Sequence, residues 1–163
     1  SMRRLIDWLP ENIPNDDTSC IVHGDYRLDN LVLAADEPRV SAVLDWELST
    51  LGHPLADLAH GCAQYHVPMA DHPTLANAGG DSGVPTEREY VEAYCRYTGR
   101  SGGPHWNFYL AFSIFRYACI AQGVYKRGLQ GNASSQQAIS LGSVVEIASD
   151  KAWEIAQRTE IDS

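Results

Sequence analysis

One short stretch constrains this chain more than any other: His23-Gly24-Asp25-Tyr26-Arg27-Leu28-Asp29-Asn30, followed fifteen positions after Asn30 by Asp45-Trp46-Glu47. Its polar residues stand at the ends of apolar runs. Cys20-Ile21-Val22 precedes the stretch and Asn30-Leu31-Val32-Leu33-Ala34 leaves it. Arg39-Val40-Ser41-Ala42-Val43-Leu44-Asp45 has the β-branched, partly alternating character of a further strand. Asp36-Glu37-Pro38 is turn chemistry. The pattern predicts strand, polar loop, strand, turn, strand, and strand ends hold side chains rigidly enough to build a site. Taken singly, Asp25, Asp29 and Asn30 are ordinary turn formers; as a spaced set they mark chemistry. Mg²⁺ takes hard oxygen ligands and keeps several waters, so one carboxylate and one amide suffice to hold it. Asn30 and Asp45 supply that pair, Asp25 can turn inward to a hydroxyl, and Arg27 offers a fork of donors suited to phosphate.

The interval from Asp25 to Asn30, with Asp45 beyond it, resembles a kinase catalytic loop and its metal-binding aspartate. His23-Gly24-Asp25 is similar to the form found in the aminoglycoside phosphotransferase and choline kinase superfamily. Val22 to Asn30, Val43 to Gly52 and Pro54-Leu55-Ala56-Asp57 resemble more closely the kinase-like module of certain acyl-CoA dehydrogenase family proteins. Trp106-Asn107-Phe108-Tyr109 and Gln122 to Arg127 look similar to the same subgroup.

This resemblance implies a phosphotransferase that moves the γ-phosphoryl of ATP, with Mg²⁺, to a hydroxyl of a small molecule, a hydroxyacyl-CoA being one acceptor it suggests. Asp25 would orient or deprotonate the acceptor. Asn30 and Asp45 would bind the cation and the nucleotide phosphates, and Arg27 would steady the transferred group. Asp57 and His23 would brace the loop, the His23 ring bonding to backbone near Asp25 or Asp45. Glu47 would offer a ligand to a second metal. Two other classes stay open: a non-catalytic kinase-like binding module, and a metal-dependent phosphohydrolase. Gly24 stands where protein kinases carry an arginine that pairs with a phosphorylated loop, so control by loop phosphorylation is not expected. Asp45-Trp46-Glu47 stands where they carry Asp-Phe-Gly, and the loss of that glycine predicts a loop less able to flip.

A chain of 163 residues with 44% hydrophobic content is enough for one core. The net charge of −9 argues against nucleic acid as a partner but not against ATP, whose charge is met locally. No apolar run is long enough to span a bilayer and no signal-peptide pattern opens the chain, so a cytoplasmic location is expected. Cys20, Cys62, Cys95 and Cys119 are widely spaced, which predicts small buried residues in a reducing compartment. His53, His60, His66 and His72 show no zinc-site spacing.

Beyond the loop the chain reads as helical. Pro54 opens a helix with Leu55, Leu58, Ala59, Cys62 and Ala63 as its apolar stripe, and Asp57 sits in the first turns, where the helix dipole favours a carboxylate. Val67 to Pro85 reads as an irregular loop. Thr86-Glu87-Arg88-Glu89 is a capping box opening a helix with Tyr90, Val91, Ala93, Tyr94 and Tyr97, and Gly99 ends it. A long helix is predicted from Pro104 to Arg127 with Trp106, Leu110, Ser113, Tyr117, Ile120 and Val124 on one face. A last helix is predicted from Ser135 to Arg158 along Leu141, Val145, Ala148, Ala152 and Ile155. By resemblance, Trp106, Tyr109, Arg116 and Tyr125 are candidates for the acceptor-side wall.

The fold class expected is a mainly helical α+β lobe whose small hairpin-like sheet carries the catalytic loop. Residues 3–163 would form the C-terminal lobe of a kinase-like fold, with Ser1-Met2 as a tag remnant and Arg3 to Pro10 as the end of a helix leading into the loop. No glycine-rich phosphate loop precedes His23. On this reading the N-terminal lobe is a missing partner and the lobe by itself is inactive. Leu5, Leu33 and Val43 would then be uncovered, favouring self-association.

Overall fold

The computed structural model describes residues 1–68, 74–76, 78–100, 105–132 and 136–158. Helix α1 (Met2–Glu11) leads into strand β1 (Cys20–Val22); strands β2 (Leu31–Leu33), β3 (Val40–Val43) and β4 (Thr50–Gly52) follow. Helices α2 (Pro54–Cys62), α3 (Glu87–Thr98), α4 (Trp106–Leu129) and α5 (Leu141–Ala156) complete the order. The fold is mainly helical α+β, as expected.

The helix ends obey their sequence signals. Pro54 sits at the first helical position of α2, and the His53 ring accepts from the Leu55 N–H at 3.2 Å in place of a shorter capping side chain. Thr86 and Glu89 form the reciprocal capping box of α3, and Gly99 ends it at φ 68°, a left-handed conformation suited to glycine. The starts expected at Pro104 and Ser135, and His72 with much of the loop around it, lie outside the described residues. Observed α5 begins later, at Leu141, after a short 3₁₀ turn over Gln136–Ile139.

The main core lies where α1, α2, α4 and α5 meet. It joins Leu5 and Leu9 to Cys62, Ala63, Val67, Leu110, Ala111, Ile114, Ala118, Ala148, Ala152 and Ile155. Small residues let α4 and α5 approach closely, and the large Leu110, Ile114 and Ile155 fill what remains. The α2 stripe is buried as its spacing predicted. On α4 the expected Leu110 and Ser113 are buried, but the buried positions continue through Ile114, Ala118 and Ala121, and the expected Ile120 is exposed. α4 packs on more than one neighbour, so its apolar surface is broad and no single stripe defines it. Tyr97 is also exposed, beyond the end of the α3 contact face. Leu5, expected on an uncovered face, is fully buried, because α1 packs into the helical core. Cys62 alone of the four free cysteines is buried; Cys20 and Cys95 are half-buried and Cys119 is exposed.

The strands make two sheets where one was expected. β1 pairs antiparallel with β4, Ile21 opposite Leu51, and β2 pairs antiparallel with β3, Leu31 opposite Val43. The missed element is β4, whose Thr50-Leu51-Gly52 is too short and too mixed to signal a strand. The backbone that follows β1 is tied to α2 by the Asp57 side chain. The Asp57 carboxylate accepts the Gly24 N–H at 2.8 Å through Oδ1 and the His23 N–H through Oδ2.

Two substitutions test this architecture. Ile114→Ala removes a fully buried side chain between packed helices and is expected to cost about 2–5 kcal/mol in urea unfolding; a cost near zero would place Ile114 outside the core. Asp57→Ala leaves two backbone donors without their carboxylate and is expected to cost about 2–4 kcal/mol. It should also accelerate amide exchange at His23 and Gly24 far more than in α5, and uniform acceleration would contradict a local tie.

Candidate active site

The loop from His23 to Asn30 is fixed from its backbone outward. Gly24 has φ +83° and is buried, and a Cβ there would lie 2.6 Å from the Leu48 carbonyl oxygen, so this turn needs glycine for conformation and for space. His23 is buried and bonded on both ring nitrogens. Nδ1 takes the Asp25 N–H at 3.3 Å, which puts the ring proton on Nε2, and Nε2 donates to the Leu44 carbonyl at 2.8 Å. The ring therefore links the loop to the residue before Asp45. Trp46 packs against it with ring centroids 4.7 Å apart, and its indole N–H donates to the Val43 carbonyl at 2.9 Å.

Asp25 is the centre of the constellation. Asn30 donates its Nδ2 protons to the Asp25 carbonyl at 2.9 Å and to Asp25 Oδ2 at 3.1 Å. The other carboxylate oxygen, Oδ1, lies 3.1 Å from His60 Nε2 on α2. Arg116 on α4 donates to the Gly24 carbonyl. Burial first, and the neighbouring Arg116 charge second, hold His60 below the usual imidazole value, against the opposing pull of Asp25 and Asp57.

The β2–β3 ladder brings the backbone at Asn30 and Leu44 together. The Leu44 N–H donates to the Asn30 carbonyl at 2.8 Å, one step beyond the Leu31–Val43 pair, and Asp45 is the next residue after Leu44, as Asn30 is the last before β2. Asp45 then leaves strand geometry, at φ 64° and ψ 54°, which breaks the alternation of β3 and re-aims its side chain. Asp45 and Glu47 are both exposed. With Nδ2 committed to Asp25, the amide oxygen of Asn30 is the atom left for a cation, and Asp45 adds a solvated carboxylate. One amide oxygen and one carboxylate suit a hydrated Mg²⁺.

Arg27 is engaged within its own loop, with Nε 2.8 Å and a terminal nitrogen 2.5 Å from Asp29 Oδ2. Among the candidates for the acceptor wall, Tyr109 stacks on His53 at 4.5 Å, Trp106 donates to Glu87 at 3.3 Å, and the Tyr125 ring lies against Gly142. Only Arg116 of the four reaches the loop. A cavity of about 190 Å³ opens beside the loop among Val22, Tyr26, Asp57, Leu58, Tyr90 and Tyr94, and burial pushes the Tyr90 hydroxyl up to about 12. His60 is the residue that sequence reasoning passed over. Its signal was its place three residues after Asp57, which puts both side chains on one face of α2.

The model of the phosphotransferase enzyme family matches residues 1–99. Acyl-CoA dehydrogenase family member 10 of Mus musculus is 46% identical over 162 residues, covering 97% of this chain and 15% of the relative. Acyl-CoA dehydrogenase family member 11 of Homo sapiens is 44% identical over 165 residues, 98% of this chain and 21% of the relative. A crystal structure from Ralstonia eutropha, described as that of an aminoglycoside phosphotransferase, superposes with a TM-score of 0.83 at 48% identity over 96% of this chain and 48% of that one. The chain thus spans about half of that structure and about a fifth or less of these two longer relatives. By family match, fold and sequence identity together, this chain belongs to the phosphotransferase enzyme family.

Proposed function

We propose that the whole protein transfers the γ-phosphoryl group of ATP, with Mg²⁺, to a hydroxyl of a small molecule, and that residues 1–163 carry its acceptor-side and cation-holding groups as the C-terminal lobe. The observation that carries this reading is the Asp25–Asn30 contact, with Asn30 paired through its backbone to the residue before Asp45, because it joins a positioned carboxylate to oxygen donors suited to a hydrated cation. Phosphoryl transfer needs little covalent help from the protein; positioning and charge neutralisation supply most of the catalysis.

Asn30 and Asp45 would hold Mg²⁺, which supplies neutralisation of phosphate charge when bound. Asp25 accepts or orients the acceptor hydroxyl proton, its carboxylate held at both oxygens by neighbours. Asp57 and His23 hold the loop backbone that carries Asp25. Arg27 reaches a phosphate only by exchanging Asp29 for it, a substitution of one anion for another. Glu47 stands two residues beyond Asp45, within the short 3₁₀ turn that Asp45 opens, as a candidate ligand for a second cation. The acyl-CoA dehydrogenase names of the relatives support a hydroxyacyl-CoA as acceptor. The apolar and tyrosine walls of the cavity beside Tyr26 support an acceptor with an apolar segment.

The chain described here is expected to lack transferase activity on its own, and its exposed Leu33 and half-buried Val43 favour contact with a further lobe or a second copy. Phosphate transfer by this chain alone, or a strict monomer in sedimentation over a wide concentration range, would defeat the corresponding half of that statement.

Two substitutions in a chain of full family length separate the roles. Asp45→Ala should abolish turnover at saturating Mg²⁺, and wild-type turnover would remove Asp45 from the site. Asp25→Asn should lower kcat by about 10²–10⁴ while Mg-ATP affinity, read by calorimetry, stays nearly unchanged. A collapse of nucleotide affinity would instead make Asp25 a cation ligand.

A further inference from the structure

Asp25 is approached from two sides, and one of its partners has no place in the roles set out above. A carboxylate that takes a proton from a hydroxyl must point at it, yet an aspartate side chain turns freely unless both oxygens are held. Asn30 holds Oδ2 at 3.1 Å, and on the opposite side His60 Nε2 stands 3.1 Å from Oδ1. A carboxylate oxygen accepts and does not donate, so Nε2 must carry a proton. The His60 side chain is only 18% exposed and rises from α2, the same helix whose Asp57 grips the loop backbone. Position along α2 therefore sets the loop and its carboxylate together.

We propose that His60 is a positioning residue for Asp25, its neutral ring donating Nε2–H to Oδ1 so that the carboxylate stays turned toward the acceptor hydroxyl. This deepens the phosphotransferase reading and, for its catalytic part, rests on it. A neutral donor suits the task better than a cation. An imidazolium would form an ion pair with Asp25 and draw down its basicity, whereas a neutral N–H fixes direction and leaves the charge available to the proton being transferred. The charged surroundings of the ring are consistent with a neutral state. Asp25 from the loop and Asp57 from α2 pull toward protonation, while Arg116 from α4 and the burial of the ring oppose it. Each Asp25 oxygen has two lone-pair directions, and with one of each taken, directions on the open side remain for the acceptor.

The test has two arms. The first needs no activity: long-range ¹H–¹⁵N spectra of the ring in this chain should show His60 as the Nε2–H tautomer at neutral pH, and Asp25→Asn should shift those ring signals. An Nδ1–H tautomer, or ring signals indifferent to Asp25→Asn, overturns the proposal. The second arm uses a chain of full family length with an identified acceptor. His60→Ala should lower kcat about 10- to 100-fold with KM for ATP unchanged. His60→Gln, which can place an amide donor near the same point, should recover much of that loss. Equal loss in both variants, or a loss confined to KM, would reduce His60 to a packing residue. If the wild-type protein phosphorylates no acceptor, the functional reading fails, and the ring spectra still decide whether His60 holds Asp25.

Discussion

The carboxylate of Asp57 is where the helical body and the loop from His23 to Asn30 are joined. A two-stranded sheet is marginal by itself in water, and β1–β4 has only three residue pairs. What makes its loop a defined object is that two successive backbone N–H groups, those of His23 and Gly24, end on one side chain from a helix packed in the core. Gly24 is required for the same reason. Two neighbouring amides converge on one carboxylate when the chain turns sharply, and the left-handed conformation of Gly24 lets it do so under the Leu48 carbonyl. From this point the arrangement extends outward: His23 reaches Leu44, Arg116 reaches the Gly24 carbonyl, and His60 reaches Asp25.

This network does different work from a salt-bridge network. Most of its contacts run from side chain to backbone, so they specify the path of the chain more than the charge of the site. Asp25 itself has an amide on one oxygen and an imidazole on the other. Neither neighbour is an ion-pair partner of the lysine or arginine kind, so the contacts fix the direction of the side chain.

Much of this was legible in the chain because local signals and tertiary contacts agree. Pro54, the Thr86–Glu89 box and Gly99 carry their instructions within a few residues, and the structure follows them. The stripe of α2 was readable because its core contacts lie on one side; that of α4 was read only in part because the helix is covered from several directions. The short β4 could not be seen, since a three-residue strand is defined by its partner and not by its own composition. At the site, the spaced set from Asp25 to Asp45 was visible as a linear pattern. His60 was not, and Arg116 was expected only on the acceptor-side wall and not at the Gly24 carbonyl, because their relation to the loop spans thirty-five and ninety-two positions and exists only once the helices are packed. Arg27 shows the converse limit: a fork of donors next to the loop found its nearest anion in Asp29, two residues away.

The division of the strands into two pairs has a dynamic consequence. β1 and β4 are attached to the helical body through α2, whereas β2 and β3 make their main contacts with each other and leave Val32, Leu33, Val40 and Leu44 open to solvent. Asp25 is tied to α2 through His60, while Asn30 and Asp45 stand at the two ends of the β2–β3 hairpin, which reaches the rest of the molecule mainly through the bonds of Asn30 to Asp25 and of Leu44 to His23. Under the proposed function, a surface that covered the hairpin and a cation held at its ends would each order the same short ladder, and so would strengthen each other's hold even where they do not touch.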